Sequence, residues 1–447
     1  MSSAAEQLAA NMNFGAFSKA TELKNRIWFT LGALIVYRLG TYIPLPGIDP
    51  HVLNDIFSNH AGGILGMFDM FSGGALGRMT IFALNIMPYI SASIIMQLMT
   101  SVSPKMGALK KEGESGRKII NQYTRYLTVL ITTMQAYGIS VGLEGMTSSV
   151  GSAVIDPGMF FRFTTVVTLV GGTMFLMWLG EQITARGIGN GISLIIFSGI
   201  VANLPSAIAN TLELGRTGAL SSLLIIVLIV MSVGVIFFII FMERAQRRLI
   251  VQYPKRQQGN KMSGGESSHL PLKLNTAGVI PPIFASSILL MPITIIGFSA
   301  GSGPEWLSTV AALLGRGQPL YLAIYVSMIV FFAFFYTAVV FNPEDTADNL
   351  KKHGGFIPGI RPGKNTSQYL DRVLTRLTVV GAAYLCFVCL LPEILISRFS
   401  VPFYFGGTSL LIVVTVTMDT VAQIQSHLLA HQYEGLIKKS KLKGRRG

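Results

Sequence analysis

LSSLLIIVLIVMSVGVIFFIIFM, residues 220–242, runs for 23 positions without a charged side chain. A helix needs roughly 20 apolar residues to cross the hydrocarbon core of a bilayer, whereas a buried helix of a soluble protein has a shorter apolar run. This stretch therefore predicts a transmembrane helix.

Comparable runs recur along the whole chain. The composition is 51% hydrophobic and only 13% charged, about half the charged fraction of a typical soluble protein. No soluble core would accommodate so many long apolar runs, so the sequence predicts an all-α polytopic membrane protein. The ten predicted transmembrane helices cover residues 27–43, 80–102, 123–143, 160–180, 188–208, 220–242, 276–298, 319–341, 375–396 and 405–427.

The basic residues are distributed unequally between the two sides of these helices. The chain has 35 Lys and Arg residues and a net charge of +14, and Arg38 lies within the first predicted helix. One side receives only Arg78, Arg162, Arg216, Arg316 and Arg398. Because cytoplasmic loops carry the excess of Lys and Arg, both termini are predicted to be cytoplasmic. Termini on one side require an even number of crossings, which agrees with ten.

Residues 61–78, AGGILGMFDMFSGGALGR, do not fit the pattern of crossings, since they contain six glycines and Asp69. The segment must begin and end on the outer side. Two interpretations stay open from these residues: an external loop, or a segment that dips back into the membrane. Irregular backbone at membrane depth is tolerated only when protein buries it or when it lines a watery cavity.

Two long cytoplasmic connections, 244–275 and 342–374, are rich in Gly, Pro and basic residues. About 30 residues are too few for an independently stable domain, so we expect both to project as basic fingers. One interpretation is that they are topology signals that attract anionic lipid. Their charge exceeds what topology needs, which favours a docking surface for a soluble partner.

Residues that would support catalysis or cofactor binding are scarce. Cys386 and Cys389 share a helix face at i, i+3 spacing, but no second Cys/His cluster completes a metal site, and a disulfide within one helical turn is geometrically poor. There is no P-loop and no HExxH motif. The sequence thus predicts no enzyme, no cofactor and no metal site.

Ionisable residues that would couple ions to transport are also scarce, since only Asp69 and Asp419 stand in or near the predicted helices without an obvious partner. Ion-coupled carriers usually need such residues near the midplane. A passive channel driven by a partner is therefore favoured over a secondary transporter of small solutes and over an intramembrane enzyme.

Five stretches resemble the SecY family, the channel subunits of the bacterial protein translocon, in the order expected. The resemblance extends from about residue 20 to the C-terminus. The stretches are FSGGALGRMTIFALNIMPYISASIIMQLM (71–99), MWLGEQITARGIGNGISLIIFSGI (177–200), PLKLNTAGVIPPIFASS (271–287), FNPEDTADNLKKHGGFIPGIRPGKNT (341–366) and VPFYFGGTSLLIVV (401–414).

The resemblance implies ten transmembrane helices in two pseudo-symmetric five-helix halves around a central pore. The halves would be 27–210 and 220–428, flanked by a cytoplasmic tail at 1–26 and a basic cytoplasmic tail at 429–447. Segment 61–78 would be the plug, a short re-entrant helix that closes the outer funnel. Its expected plug residues are Asp69, Phe71, Ser72, Gly73, Gly74 and Leu76.

In this family the pore constriction is a ring of aliphatic side chains. By resemblance the ring is formed here by Ile86, Ile90, Ile196, Ile200, Ile283 and Ile412. The spacing supports part of this, because Ile86/Ile90 and Ile196/Ile200 are i, i+4 pairs that each lie on one helix face. The family usually has Gly where this chain has Asn85, which puts tight sealing of the ring in question.

The resemblance also places a lateral gate between the second and seventh helices, at Ser91, Ile94, Ser286 and Ser287. Small and hydroxyl residues let helices approach closely. From the residues alone, ordinary helix packing is the preferred interpretation of these four.

Expected partners follow from the same resemblance. They are the SecE and SecG subunits, the SecA motor ATPase, the ribosome, preprotein signal sequences and nascent chains, and membrane lipids. Lys255, Arg256 and Arg361 are the expected contacts of the motor or ribosome, and Arg suits bidentate contacts with carboxylates. The expected location is the bacterial cytoplasmic (inner) membrane.

Overall fold

The structure is a computed structural model. It describes residues 21–53, 69, 72–145, 147–148, 151–218, 221–253, 256–258, 261–263, 267–299, 313, 318–399 and 407–443.

Helices dominate these residues. They are α1 (Thr21–Gly40), α2 (Met87–Val102), α3 (Pro104–Lys111), α4 (Glu114–Gly145), α5 (Met159–Arg186), α6 (Gly191–Ala202), α7 (Leu204–Arg216), α8 (Ser222–Arg244), α9 (Ile280–Ser299), α10 (Pro319–Val340), α11 (Pro343–Lys352), α12 (Lys364–Phe399) and α13 (Gly407–Lys443). Short strands connect some of them: β1 (Thr147–Ser148), β2 (Gly151–Ser152), β3 (Gln246–Gln252), β4 (Arg256–Gln258), β5 (Lys261–Ser263) and β6 (Ser267–Lys273).

Each of the ten predicted apolar runs overlaps a helix, although the run 188–208 is divided between α6 and α7. The all-α polytopic fold class is confirmed. Within the described residues, seven helical stretches are long and apolar enough to cross a membrane. The apolar helices Met87–Val102 and Ile280–Leu289 are shorter, and α1 has 20 residues. The count of ten crossings stays a prediction.

The second helix begins seven residues later than its apolar run. Residues 81–86 form turns, and α2 starts at Met87 with Pro88 in its first turn. Asn85 has a positive φ of 49°, which a helix cannot accommodate. Proline is well tolerated in a first turn because it lacks the N–H that would be unpaired there. The backbone at 85 and 88 therefore sets the start of α2.

The apolar interior contains two large clusters. One joins buried residues of α1, α2, α4, α5 and α6 to Phe284, Phe332, Ile412 and Val416 from later helices. The other contains residues of α8, α9, α10, α12 and α13 only. The division into halves at 27–210 and 220–428 stays a prediction.

The two long loops meet instead of projecting separately. Strands β3 and β6 form an antiparallel hairpin, and Gln252 exchanges two backbone hydrogen bonds of 2.9 Å with Phe356 of the second loop. Leu249, Leu272 and Ile357 pack together with residues of the first turns of α12. We call β3, β6 and residues 355–360 the loop platform.

Candidate pore, plug and lateral gate

The six predicted ring isoleucines lie in one apolar cluster. Five of them are buried in that cluster, and Ile283 is partly buried and packs against it. Ile86 and Ile90 come from the start of α2, Ile196 and Ile200 from α6, Ile283 from α9 and Ile412 from α13. Regions far apart in the sequence thus contribute their predicted ring residues to one extended apolar cluster, and the ring itself stays a prediction.

Local structure explains how the two pairs share a face. The Ile90 N–H donates to the Ile86 carbonyl at 3.1 Å, so one helical turn separates them although Ile86 precedes α2. In α6 the Asn190 side chain accepts from the N–H groups of Ile192 and Ser193 and starts the helix. Such caps satisfy N–H groups that have no partner within the helix.

Helix α6 lies very close to the backbone of α5. A Cβ added at Gly191 would stand 2.0 Å from the Gly180 carbonyl oxygen, so only glycine fits at this contact. The ring pair of α6 is therefore positioned by backbone packing as well as by its cap.

The described part of the predicted plug contacts this ring region. Leu76 is fully buried in the same cluster as the ring isoleucines. Gly73 has a φ of +69°, and a Cβ on it would lie 3.0 Å from the Cα of Gly199, between Ile196 and Ile200 in α6. Gly73 therefore lies against the ring helix α6, and Leu76 packs in the same apolar cluster. Phe71 and residues 61–68 lie outside the described residues, so the predicted re-entrant helix stays a prediction.

Asp69, the acidic residue of the predicted plug, has hydrogen-bond partners within the same segment. Its carboxylate accepts from the Gly77 N–H at 2.6 Å and from the Ser72 hydroxyl at 3.4 Å. Its own carbonyl accepts from the Gly74 N–H at 2.9 Å. A carboxylate that accepts such bonds can be partly enclosed by protein, and here it closes the turn from 69 to 77.

Two side chains of α1 that sequence reasoning did not assign to the plug contact it directly. The Tyr37 hydroxyl donates to the Ser72 carbonyl at 3.3 Å, and Arg38 donates to the Gly73 carbonyl at 2.8 Å. An arginine within an apolar run is a signal for a functional contact. Tyr37 gave no such signal.

The predicted gate residues of α2 and α9 are buried. Ser91, Ile94, Ser286 and Ser287 are at most 6% exposed. The Ser287 hydroxyl lies 3.7 Å from the sulfur of Met87 and links α9 to α2. The structure thus brings the two predicted gate helices into contact at Met87 and Ser287.

Of the predicted docking residues, Arg361 is exposed next to the loop platform. It follows a turn in which the Ile360 N–H donates to the Ile357 carbonyl at 3.1 Å, with Gly359 at φ +81°. The Arg361 carbonyl accepts from the Thr366 hydroxyl at 3.0 Å, so its backbone is held while its side chain faces solvent. Arg256 begins β4, and Lys255 lies outside the described residues.

In the described part of the chain, no group of three or more His, Cys, Asp or Glu side chains is placed to hold a metal ion. Neither Cys386 nor Cys389 forms a disulfide.

Comparison with known proteins now identifies the family. The SecY family model matches residues 80–421. The protein translocase subunit SecY of Escherichia coli (strain K12) is 58% identical over 424 residues, which cover 95% of this chain and 96% of that protein.

Solved structures agree in fold. One described as a protein-conducting channel has a TM-score of 0.66 at 18% identity and covers 91% of this chain and 92% of its own. Sec61 in a canine ribosome–channel complex from the endoplasmic reticulum has a TM-score of 0.62 at 17% identity, with the same coverage. By the family match and the identity over nearly its whole length, the chain belongs to the SecY family.

Proposed function

We propose that this chain is the passive protein-conducting pore through which unfolded preproteins cross the membrane, and that its side opens to release membrane segments into lipid. One observation supports the proposal: the six isoleucines, which come from four separate regions of the chain, belong to or pack against one apolar cluster that also contains Leu76 of the plug segment. A narrow apolar ring stops ions by excluding water. It offers a passing peptide no polar group to bind, so it can seal without being specific.

The chain is a channel subunit and not an enzyme. The alternative of a secondary transporter of small solutes is not supported, because the relatives are named as protein translocase subunits. A passive pore needs an external driver, which must bind on the side from which the preprotein enters.

In this proposal the ring is Ile86, Ile90, Ile196, Ile200, Ile283 and Ile412, and the plug residues above it are Asp69, Phe71, Ser72, Gly73, Gly74 and Leu76. The contact between α2 and α9 is the lateral gate. Its side chains suit a gate, since serines can keep their bonds within their own helix when the helices separate. Ser91 and Ser286 already do so, bonding the carbonyls of Met87 and Ile283.

The loop platform is the proposed docking surface for the driver. Arg361 is exposed beside it, and Lys255 and Arg256 belong to the tip of the first loop. The SecA motor ATPase or the ribosome would bind there, and SecE and SecG would be constant partners. The Sec61 structure described in complex with a ribosome supports the ribosome as one such partner.

The chain is a multi-pass membrane protein, and we assign it to the bacterial cytoplasmic (inner) membrane with both termini in the cytoplasm. The charge asymmetry of the loops supports this orientation. It places the loop platform on the cytoplasmic side, where both proposed drivers reside.

Reconstitution tests the proposal as a whole. The chain is incorporated into vesicles with SecE and SecG, and SecA, ATP and an unfolded preprotein are added outside. We expect preprotein to become protected from protease only with ATP and with this chain present. Equal protection in vesicles that lack the chain would contradict the proposal.

A further inference from the structure

Two arginines bind the same carbonyl of the plug segment. Arg38 of α1 donates from Nη1 to the Gly73 carbonyl at 2.8 Å, and Arg78 donates from Nη2 to the same carbonyl at 3.2 Å. A carbonyl oxygen has two lone pairs and can accept both bonds. Hydrogen bonds from a charged donor are stronger than those between neutral groups, so this carbonyl is held more firmly than an ordinary turn carbonyl.

One aromatic ring lies beside both guanidinium groups. The guanidinium carbon of Arg38 is 5.0 Å from the centre of the Tyr42 ring, and that of Arg78 is 4.3 Å from it. Both are cation–π distances. The Tyr42 hydroxyl also accepts from Arg38 at 3.0 Å. Two like charges close together repel each other, and their shared contacts with one ring and one carbonyl offset that repulsion.

The three side chains project from backbone that other bonds hold in place. Residues 43–45 pair with residues 79–81 through two backbone hydrogen bonds of 3.0 Å. The loop after α1 is thereby joined to the backbone that follows the plug. Tyr42 and Arg78 directly precede these paired residues, and Arg38 lies in the last turn of α1. The arginines and the ring therefore belong to a fixed frame that surrounds the turn at Gly73.

The turn that they hold fits closely between this frame and α6. A Cβ on Gly73 would lie 3.0 Å from the Cα of Gly199 and 3.3 Å from Nη1 of Arg38, and a Cβ on Gly74 would lie 3.1 Å from Nη2 of Arg78. Gly73 is buried. If its carbonyl lost both arginines it would have little access to water, which costs more than the loss of an exposed hydrogen bond.

Both arginines stand at positions that topology does not favour. Arg38 interrupts an apolar run, and Arg78 lies on the predicted outer side, which receives only five basic residues. Basic residues favour the cytoplasmic side, and a charge within an apolar run is a signal for a functional contact. Their common partner, the Gly73 carbonyl, gives one reason for both positions.

We propose that Arg38, Arg78 and Tyr42 are positioning residues that form a clamp on the Gly73 carbonyl and keep the plug segment seated against α6. The inference rests on the proposed channel function. Each arginine contributes one charged donor, and the Tyr42 ring holds the two guanidinium groups next to each other. The plug segment can leave α6 only when both arginines release the carbonyl.

The test measures how often the plug segment leaves its seat in the resting complex. Ala75 is 0% exposed, so the thiol of Ala75→Cys is shielded while the segment is seated. Cys386 and Cys389 are first replaced with alanine. The purified complex in lipid nanodiscs is treated with a membrane-impermeant maleimide, without ATP or preprotein, and the labelling rate is measured. Ala136→Cys is the control for general loosening, since Ala136 of α4 is also 0% exposed and belongs to the same apolar cluster as Leu76.

Methionine is close to arginine in length and has no donor. We expect Arg38→Met and Arg78→Met each to raise the labelling rate at position 75 about 3- to 10-fold, the effect of losing one of two hydrogen bonds to the carbonyl. The double variant should raise the rate by more than the product of the two single effects, because only then does the buried carbonyl lose every arginine partner. Arg78→Lys, which keeps a charged donor, should have a smaller effect than Arg78→Met. Tyr42→Leu should accelerate labelling more than Tyr42→Phe, which keeps the ring.

Labelling at position 136 should stay the same in all these variants. The clamp is overturned if the double variant labels position 75 at the parent rate, if either single methionine variant labels it more slowly, or if position 136 is accelerated equally. A double effect no larger than the product, or an unchanged rate in Tyr42→Leu, would likewise contradict a shared carbonyl and a shared ring. The labelling needs no transport. If the parent chain fails to move preprotein, the proposed function is wrong, whereas the labelling rates still decide whether the arginines hold the segment.

Discussion

Replacing two ring isoleucines with serine should make the resting channel conduct ions. The double variant Ile86→Ser/Ile196→Ser changes residues that are 1% and 4% exposed and that come from α2 and α6. Each serine supplies a hydroxyl that can hydrogen-bond water, whereas the isoleucine side chain it replaces cannot. A net hydrogen bond contributes about 1 kcal/mol.

Two hydroxyls should therefore lower the barrier for water, and for the ions it carries, by about 2 kcal/mol. Since 1.4 kcal/mol corresponds to a factor of ten, the closed-state conductance should rise about 30-fold. The assay is the current through purified complex in a planar bilayer without substrate. Removal of the plug should increase the current further.

The structure provides a matched control for this prediction. Ile139 in α4 and Ile183 in α5 are 1% and 0% exposed and belong to the same apolar cluster, but they are not assigned to the ring. Ile139→Ser/Ile183→Ser creates the same hydroxyls in packing positions, so it should lower thermal stability without raising conductance. If the Ile86/Ile196 variant conducts no more than the parent or the control pair, these residues do not form the ring.

Three further predictions concern docking, packing and topology. Arg361→Glu should reduce SecA-driven preprotein transport several-fold while the complex stays assembled, because the side chain is exposed. Arg361→Lys should retain more transport. Full transport by the Glu variant would remove Arg361 from the docking surface. Gly172→Ala should lower the melting temperature, since its Cβ would stand 2.0 Å from the Ile81 carbonyl oxygen and overpacking costs about 1–3 kcal/mol. Gly171→Ala is the control, because a Cβ there would have nothing within 4 Å. Equal melting temperatures of the two variants would refute this packing. Reporter fusions after Gly259, Gly359 and Lys443 should report the cytoplasm and those at Asn59 and Gly303 the opposite side; an outer signal at either loop would exclude the ten-crossing topology.

Helix order was predictable because apolar length is a local property of the chain. The start of α2 was not, because the positive φ of Asn85 depends on how residues 81–86 pack against α5, and no local pattern records that contact. A run of apolar residues simply continues through such a turn.

The residues of the candidate site likewise fall into those that a local sequence pattern indicates and those that it does not. The i, i+4 spacing of Ile196 and Ile200 shows that they share a face, but not which face meets the pore, so only the family resemblance selected them. Arg38 was noticed because a charge is unusual in an apolar run. Tyr37 is an ordinary aromatic residue in a membrane helix, and only its 3.3 Å contact with the Ser72 carbonyl distinguishes it.

The backbone hydrogen bonds between Gln252 and Phe356 join the two loops of the loop platform, so that a force on one loop also acts on the other. Strand β3 follows directly after α8, β6 leads into α9, and the second loop is attached to α10 and α12. A load applied to either loop is therefore shared among the roots of four helices, one of which, α9, forms a wall of the proposed gate. We therefore expect a displacement of either loop to be transmitted to the start of α9.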